Sequence, residues 1–579
     1  MEDKSNPGAK KSWLTICGRI VWLLLLAVFI FIGGLAVFAI GTSRDTIIPE
    51  LVLVFALTGI FLLTLIRLLF SRRFRRPVLF FLLSLVTLVA LFYAEEDWRG
   101  KHAWNRCQSE WVAKGEKIDW QSVIPPAVPD DHNFAMTPVV ASGYRQILDG
   151  QGHENHPIDT NIVDRLRMDI YGGHDDNKVD LGNWGSGSRV NLAAWQTFYR
   201  TLGAKTNLFP VPPQPQSPAA DVLLALTPFG RTIEDLRQAA QLPESRFPLE
   251  YDKEVPGSIL LPHLAAMKRS GIVLSLRADA ELQDNQSAAA AADVNLTFRL
   301  IDAIHSEPFL ISHLVRIALL QIDLQPVWEG LADHRWSDAQ LKGLDADLVK
   351  LNFAQDYNIA MKGEVTFGEH SVDYVRQSRP DFQPYYNFSD DGKSDEFNVP
   401  AGVVSWIPAG WFYQNQVNYA NMMLKYYLPI ADVEDMTISP SAEHQADHAL
   451  AADTRHFVPY KLLEKFLVPA GGHVGNKFAR AQAFADMARV AIALERFRLV
   501  QGAYPPTLDM LAPQFLAEIP HDVIDGQPLH YRVEASGRFT LYSVGWNGRD
   551  DGGTVVLSKG SSPGVNYNEG DWVWRYPKQ

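Results

Sequence analysis

The stretch VLFFLLSLVTLVALFYA, from Val78 to Ala94, runs for 17 residues without a charge. A helix needs roughly 17–25 apolar residues to cross a bilayer, so this run is of spanning length. Two more lie upstream, Val21 to Ile40 with 20 residues and Leu51 to Ile66 with 16. Together they predict a multi-pass α-helical membrane region over residues 1–94, with three transmembrane helices. The first run also has the look of a signal peptide, with a basic start and a small pair at Ala39 and Gly41. Two further spans favour an uncleaved signal-anchor.

Orientation follows from the basic residues, which are retained on the cytoplasmic side of a span. Lys4, Lys10, Lys11 and Arg19 precede the first run, and Arg67, Arg72, Arg73, Arg75 and Arg76 sit between the second and third. Both clusters are cytoplasmic if the N-terminus is inside. Three crossings then place residues 95–579 outside, which in a bacterium is the periplasmic face of the inner membrane. Residues 1–94 hold ten Lys and Arg against four Asp and Glu, leaving 43 against 62 in the remainder, a net charge of −19. So acidic an exterior part argues against nucleic acid as a partner, because phosphate binding needs a basic patch. The two cysteines, Cys17 and Cys107, fall on different sides of this topology and cannot pair. The exterior part is therefore expected to be held by its core alone.

Beyond the third run, residues 95–208 read as a membrane-proximal helix followed by irregular chain. Trp104, Cys107, Trp111 and Val112 recur at helical spacing. Trp98 and Trp104 fit either interfacial anchoring or packing within their own domain. Pro210, Pro212, Pro213, Pro215 and Pro218 make 209–218 a proline-rich linker. Residues 219–475 read as mainly α-helical hairpins, a bundle or short solenoid. The candidate helices are 219–241, 260–283, 287–305, 308–331 and 337–362, with another at 411–428. Among their charges, Arg269, Arg277, Glu281, Arg299, Asp302 and Arg316 read as solvated or paired faces. An aromatic loop, 379–413, interrupts the region. Within it Asn387, Ser389, Asp391 and Gly392 follow a calcium-loop pattern, but position twelve is Asn398 where the bidentate glutamate belongs.

Two His/Asp groups stand out. His444 and His448 share the i, i+4 spacing of zinc hydrolases, with Glu443, Asp447, Asp453 and His456 nearby. The order is Glu-His-x-x-Asp-His, which misplaces the general base. His153, His156, His174, Asp175 and Asp176 match no metal module. A complete catalytic motif is not found, neither a nucleophile elbow nor a phosphate loop.

The last hundred residues form a small α+β domain on pattern alone. A helix over 476–500 is stopped by Gly502 and Pro505-Pro506. Leu529, Tyr531 and Val533 then alternate, Ser536-Gly537 turns the chain, and Phe539, Leu541 and Ser543 alternate back. Thr554 to Leu557 and Trp572 to Tyr576 are expected to add strands.

The ordered set Ala493-Leu494-Glu495-Arg496-Phe497-Arg498, Gly502-x-Tyr504-Pro505, Ile519-Pro520, Asp525-Gly526-x-Pro528-Leu529-x-Tyr531, Tyr542-Ser543-Val544-Gly545-x-Asn547-Gly548 and Asp550-Asp551-Gly552-Gly553 resembles the globular domain of the type II secretion major pseudopilin. The chain as a whole looks similar to large bacterial membrane proteins that end in such a domain. The resemblance implies a helix-on-antiparallel-sheet fold over 476–579, and a calcium loop with Asn547, Asp550 and Asp551 as ligands. It departs from the family in its N-terminal part: nearly 400 residues separate the last span from the helix, so assembly as a pseudopilin is not expected. The expected function is an inner-membrane interaction or assembly scaffold of the cell envelope, secretion-related in its most concrete version, with lipid bilayer and envelope proteins as partners. The alternative is a membrane-anchored metal-dependent hydrolase using His444 and His448.

Overall fold

The computed structural model describes residues 75–117, 119–141, 146–148, 154–157, 166–173, 179–251, 259–378, 405–455, 458–461, 467–468, 473–558 and 564–577. The first two apolar runs, the pattern at Asn387–Asn398, and His153, His174, Asp175, Asp176 and His456 lie outside these residues, as does the side chain of His156. The chain divides into two compact units, Met1–Glu96 and Asp97–Gln579.

Within the first unit the described chain is helix. Helix α1, Arg75–Ala113, contains the third apolar run and continues for five more turns. At 1.5 Å per residue its 39 residues extend about 58 Å, well beyond the ~30 Å hydrocarbon core of a bilayer. Leu79, Phe80, Leu83, Val86, Leu88, Leu91 and Phe92 are all exposed. Among the described residues, two helices are long and apolar enough to cross a membrane, but they differ in their surroundings. In Arg76–Ala113 only 6% of the apolar window is buried, whereas in Leu310–Ala332 61% is. The second carries Arg316, Asp323 and Glu329 and belongs to the core of the second unit.

The second unit is mainly helical, with small antiparallel sheets towards its C-terminus. After the end of α1 and a four-residue helix at Pro138–Ala141 come helices α2 (Leu192–Gly203), α3 (Pro218–Ala225) and α4 (Gly230–Ala239). The proline-rich stretch before α3 lies along α2: the Phe209 ring sits 4.8 Å from that of Tyr199, and Arg200 donates to the Pro212 carbonyl at 3.2 Å. Ser217 caps α3, with Pro218 at the first helical position, where its missing N–H costs nothing. The single helix expected over 219–241 is instead two, because Pro228 interrupts it within the turn Thr227–Phe229.

Three long helices form the centre: α5 (Pro262–Gln283), α6 (Ser287–Ala303) and α7 (Leu310–Ala332), with α5 packed on both others. Pro326 inside α7 cannot donate to the carbonyl of Ile322. Ser275 of α5 supplies the missing bond, its Oγ donating to the Ile322 oxygen at 3.0 Å. The helix expected over 337–362 also divides, into α8 (Asp338–Leu348) and α9 (Phe353–Gln377). Each half has its own start signal. Ser337 and Gln340 form a capping box on α8, and Asn352 accepts from the Gln355 N–H to open α9.

Helix α10, Ala409–Met422, continues into a wider π turn at Met423–Tyr427; α11 is Pro440–Asp453 and α12 Val474–Gln501. Helix α12 is buried on nearly every side and packs against α7, α8 and α9. Its alanine-rich sequence permits that close approach. Strands β1 (His530–Val533), β2 (Phe539–Ser543) and β5 (Trp572–Trp574) form one antiparallel sheet in the order β1-β2-β5, with Tyr531 opposite Leu541 and Leu541 opposite Trp574. Strands β3 (Val555–Leu557) and β4 (Val565–Gly570) pair separately. All five residues of β2 are buried, so the expected alternation of exposed and buried positions is lost where both faces are covered.

Candidate functional site

The loop between β2 and β3 brings Asn547, Asp550 and Asp551 together, but around its own backbone. Asn547 Nδ2 donates to Asp551 Oδ2 at 2.8 Å, and Asn547 Oδ1 accepts from the Arg549 N–H. Asp550 Oδ1 accepts from the Gly552 N–H at 2.9 Å and the Tyr542 hydroxyl at 3.0 Å, which hold its carboxyl below the usual range. The centre of this loop is Asp571, which the motif reading missed. It is buried immediately before β5 and accepts three backbone N–H bonds, from Asp551, Gly553 and Thr554. Burial raises its pKa and those bonds offset the rise in part. The three named side chains are thus tied into the hydrogen bonds of their own loop. No group of three or more His, Cys, Asp or Glu able to hold a metal occurs among the described residues.

His444 and His448 lie on the exposed face of α11. The acids beside them turn the other way. Glu443 is buried and accepts from the Gly475 N–H at 2.7 Å, Asp447 accepts from the Tyr427 hydroxyl at 3.1 Å, and Asp453 pairs with Lys461 at 2.6 Å. Burial raises the pKa of Glu443, against the lowering effect of the Gly475 N–H. These carboxylates tie α11 to its neighbours and do not face the two imidazoles.

The densest polar chemistry sits where sequence spacing gave no signal. His263 on α5, Glu307 before α7 and Ser312 on α7 are all buried. His263 Nε2 lies 2.7 Å from Glu307 Oε1, and Ser312 donates to Glu307 Oε2. These are the residue types of a hydrolytic triad in the wrong order, since both serine and histidine bond the acid and neither bonds the other. The next residue, His313, approaches the Glu307 carbonyl at 2.9 Å through Nε2 and faces Asp356 of α9 at 3.7 Å through Nδ1. Arg316 pairs with Asp356 and donates to the Ile301 carbonyl at 2.9 Å. Burial alone would raise the pKa of Asp356, but the Arg316 guanidinium and His313 outweigh it and hold the carboxyl low. The whole network bridges α5, α7 and α9 and is sealed from solvent.

Of the charges expected on solvated or paired faces, Arg269 is exposed and the others are paired, several of them buried. Arg277 bonds Glu281 at 2.7 Å and reaches Asp293, Arg237 also pairs with Asp293, and Arg299 bonds Asp302 at 2.7 Å. Where α7, α12 and the sheet meet, a narrow cleft is lined by Trp328, Glu495, Tyr504, Phe539, Trp574 and Tyr576. Glu495 is itself engaged, by Arg498 at 2.7 Å, His334 at 2.9 Å and Tyr504 at 3.3 Å. Burial acts to raise its pKa, yet Arg498 and His334 leave it lowered. Each of these arrangements can stiffen a helix junction; none presents a nucleophile and base together to an open cleft. Comparison with protein families, with characterised proteins and with solved structures finds no match to this chain.

Proposed function

We propose that this chain is a multi-pass protein of the bacterial inner membrane, cytoplasmic at its N-terminus, whose exterior residues 95–579 serve as an interaction or assembly scaffold of the cell envelope. The observation that carries this reading is α1. Its apolar residues from Leu79 to Phe92 are exposed, and the same helix supplies Trp104 and Cys107 to the core of the second unit. An uncovered apolar surface of that length is unfavourable in water and suited to lipid. Support for the scaffold comes from the second unit, where the pairs Arg316–Asp356, Arg237–Asp293 and Arg489–Asp345 brace helices against one another. A rigid helical body of this kind offers surface for partners. The resemblance of the sequence pattern of 476–579 to a pseudopilin domain supports secretion-type envelope proteins as the partners.

Three measurements test the reading. A periplasm-dependent reporter fused after residue 94 is expected to be active, and the full-length protein is expected to need detergent for extraction. Cross-linking in cells is expected to capture envelope proteins. Activity of only a cytosol-dependent reporter, recovery without detergent, or capture of cytosolic proteins alone would overturn it.

A further inference from the structure

Two tryptophans of the second unit are left largely in the open, Trp98 at 69% and Trp406 at 78% exposure. They lie 308 residues apart in sequence, yet the chain joins their neighbourhoods tightly. Gly100 of α1 meets Gly410 of α10 so closely that a Cβ on Gly100 would fall 2.3 Å from the Gly410 oxygen. Asp97 Oδ1 accepts the Gly410 N–H at 2.7 Å, satisfying one of the free donors at the start of α10. The third segment of this junction is the 3₁₀ turn Pro459–Lys461. Arg99 donates to the Tyr460 hydroxyl at 3.1 Å with its guanidinium 5.5 Å from the ring centre, Trp411 meets the Tyr460 ring edge-on, and Asn415 and Asn418 bond the Pro459 and Tyr460 carbonyls.

We infer that this junction is a membrane-resting collar, in which Trp98 and Trp406 seat the second unit in the headgroup zone of the bilayer crossed by α1. The inference deepens the membrane reading above and rests on it. Along α1, Trp98 follows the end of the apolar run at Ala94 by four positions, about 6 Å of helix, which falls within the roughly 5–7 Å of headgroup zone on each side of the hydrocarbon core. Indole is the side chain enriched at that depth, apolar in body with one N–H to hydrogen-bond. In water the same exposure is unfavourable, and the Trp98 ring already stacks on His102 at 5.5 Å. The charges beside it are mixed, with Glu95, Arg99, Lys101 and His102 all exposed, which suits zwitterionic headgroups better than a strongly anionic surface. Because Gly410 is locked to α1, the 405–408 segment that carries Trp406 is held beside the same helix.

The test places a nitroxide at Ser405 in full-length protein carrying Cys17→Ser and Cys107→Ala, reconstituted into phosphatidylcholine nanodiscs. Collision with oxygen, which concentrates in lipid, is compared with collision with a water-soluble nickel chelate. The expected result is oxygen access exceeding nickel access at 405, with the reverse at His448, labelled through H448C as the solvent reference. Nickel access equal to that reference overturns the collar while incorporation into the discs leaves the membrane reading standing. Shielding from both reagents points to a protein covering the site and also overturns it. Failure of the protein to enter nanodiscs removes the membrane reading and the collar together. As a second readout, W98A/W406A is expected to stay in the discs but to shift the 405 label to reference nickel access; W98F/W406F is expected to retain part of the lipid contact, and an unchanged label in the alanine variant counts against the two rings.

Discussion

Single side chains in this protein repair defects that the helices create. Ser275 is the clearest example, since it satisfies the Ile322 carbonyl that Pro326 leaves without a donor. Ser275→Ala removes a bond between buried groups and is expected to cost about 1–3 kcal/mol, seen as a lower denaturation midpoint in detergent. An unchanged midpoint would mean that another donor reaches the carbonyl. Asp486 of α12 carries the opposite kind of consequence. Burial pushes its pKa up to about 6, against the lowering effects of Gln482 and Arg489, while the unfolded chain has the ordinary value near 3.8. The folded state therefore holds the proton more tightly, so this residue's contribution is fully favourable below pH ~4 and is lost as pH rises through ~6. Asp486→Asn is expected to stabilise the protein at pH 8 by up to about 3 kcal/mol and to leave it unchanged at pH 4. Melting curves at the two pH values decide this, and equal shifts at both would contradict the assignment.

Helices meet here through small residues as well as through polar networks. Gly363 of α9 lies against the chain entering α7, where a Cβ would sit 1.6 Å from the Pro308 carbonyl oxygen. Backbone cannot yield as a side-chain tip does. Gly363→Ala is expected to separate α9 from this turn at a cost of about 3 kcal/mol or more, and to increase proteolysis near 306–309. Loss of stability without new cleavage there would place the strain elsewhere. Helix boundaries show how local signals compete. The capping box at Ser337 and the stop at Gly502, whose φ is 81°, both fall where the residues indicate. Apolar periodicity continues through the divisions at Pro228 and Asn352 and masks them, although proline and asparagine are themselves start or stop signals.

At the level of the second unit, the C-terminal residues are not an appendage. Helix α12 fills the space between α7, α8 and α9, and Trp328 of α7 donates through its indole to the Arg575 carbonyl beyond β5. Ending the chain at residue 473 would expose the inner faces of all three helices. Such a truncation is expected to lose cooperative melting and to be digested rapidly by protease, while remaining in the membrane fraction through its apolar N-terminal part. A truncated protein that melts as sharply as the full chain would show that α12 is dispensable to the core.

How much could be read beforehand depends on the distance over which each interaction acts. Local sequence was sufficient for the apolar helix after Arg76, the end of α12 at Gly502, the capping at Ser337, and the hairpin of β1 and β2. Chain stiffness, caps, turns and transfer from water act within a few residues, so the relevant partners are neighbours in the sequence. Folding in three dimensions settled the rest. It turned Glu443 and Asp447 inward and left His444 and His448 outside, gathered His263, Glu307, Ser312 and Asp356 from separate helices, and centred the 547–554 loop on Asp571. A buried charge must find a partner wherever the packing brings one, and its spacing along the chain carries no record of that choice.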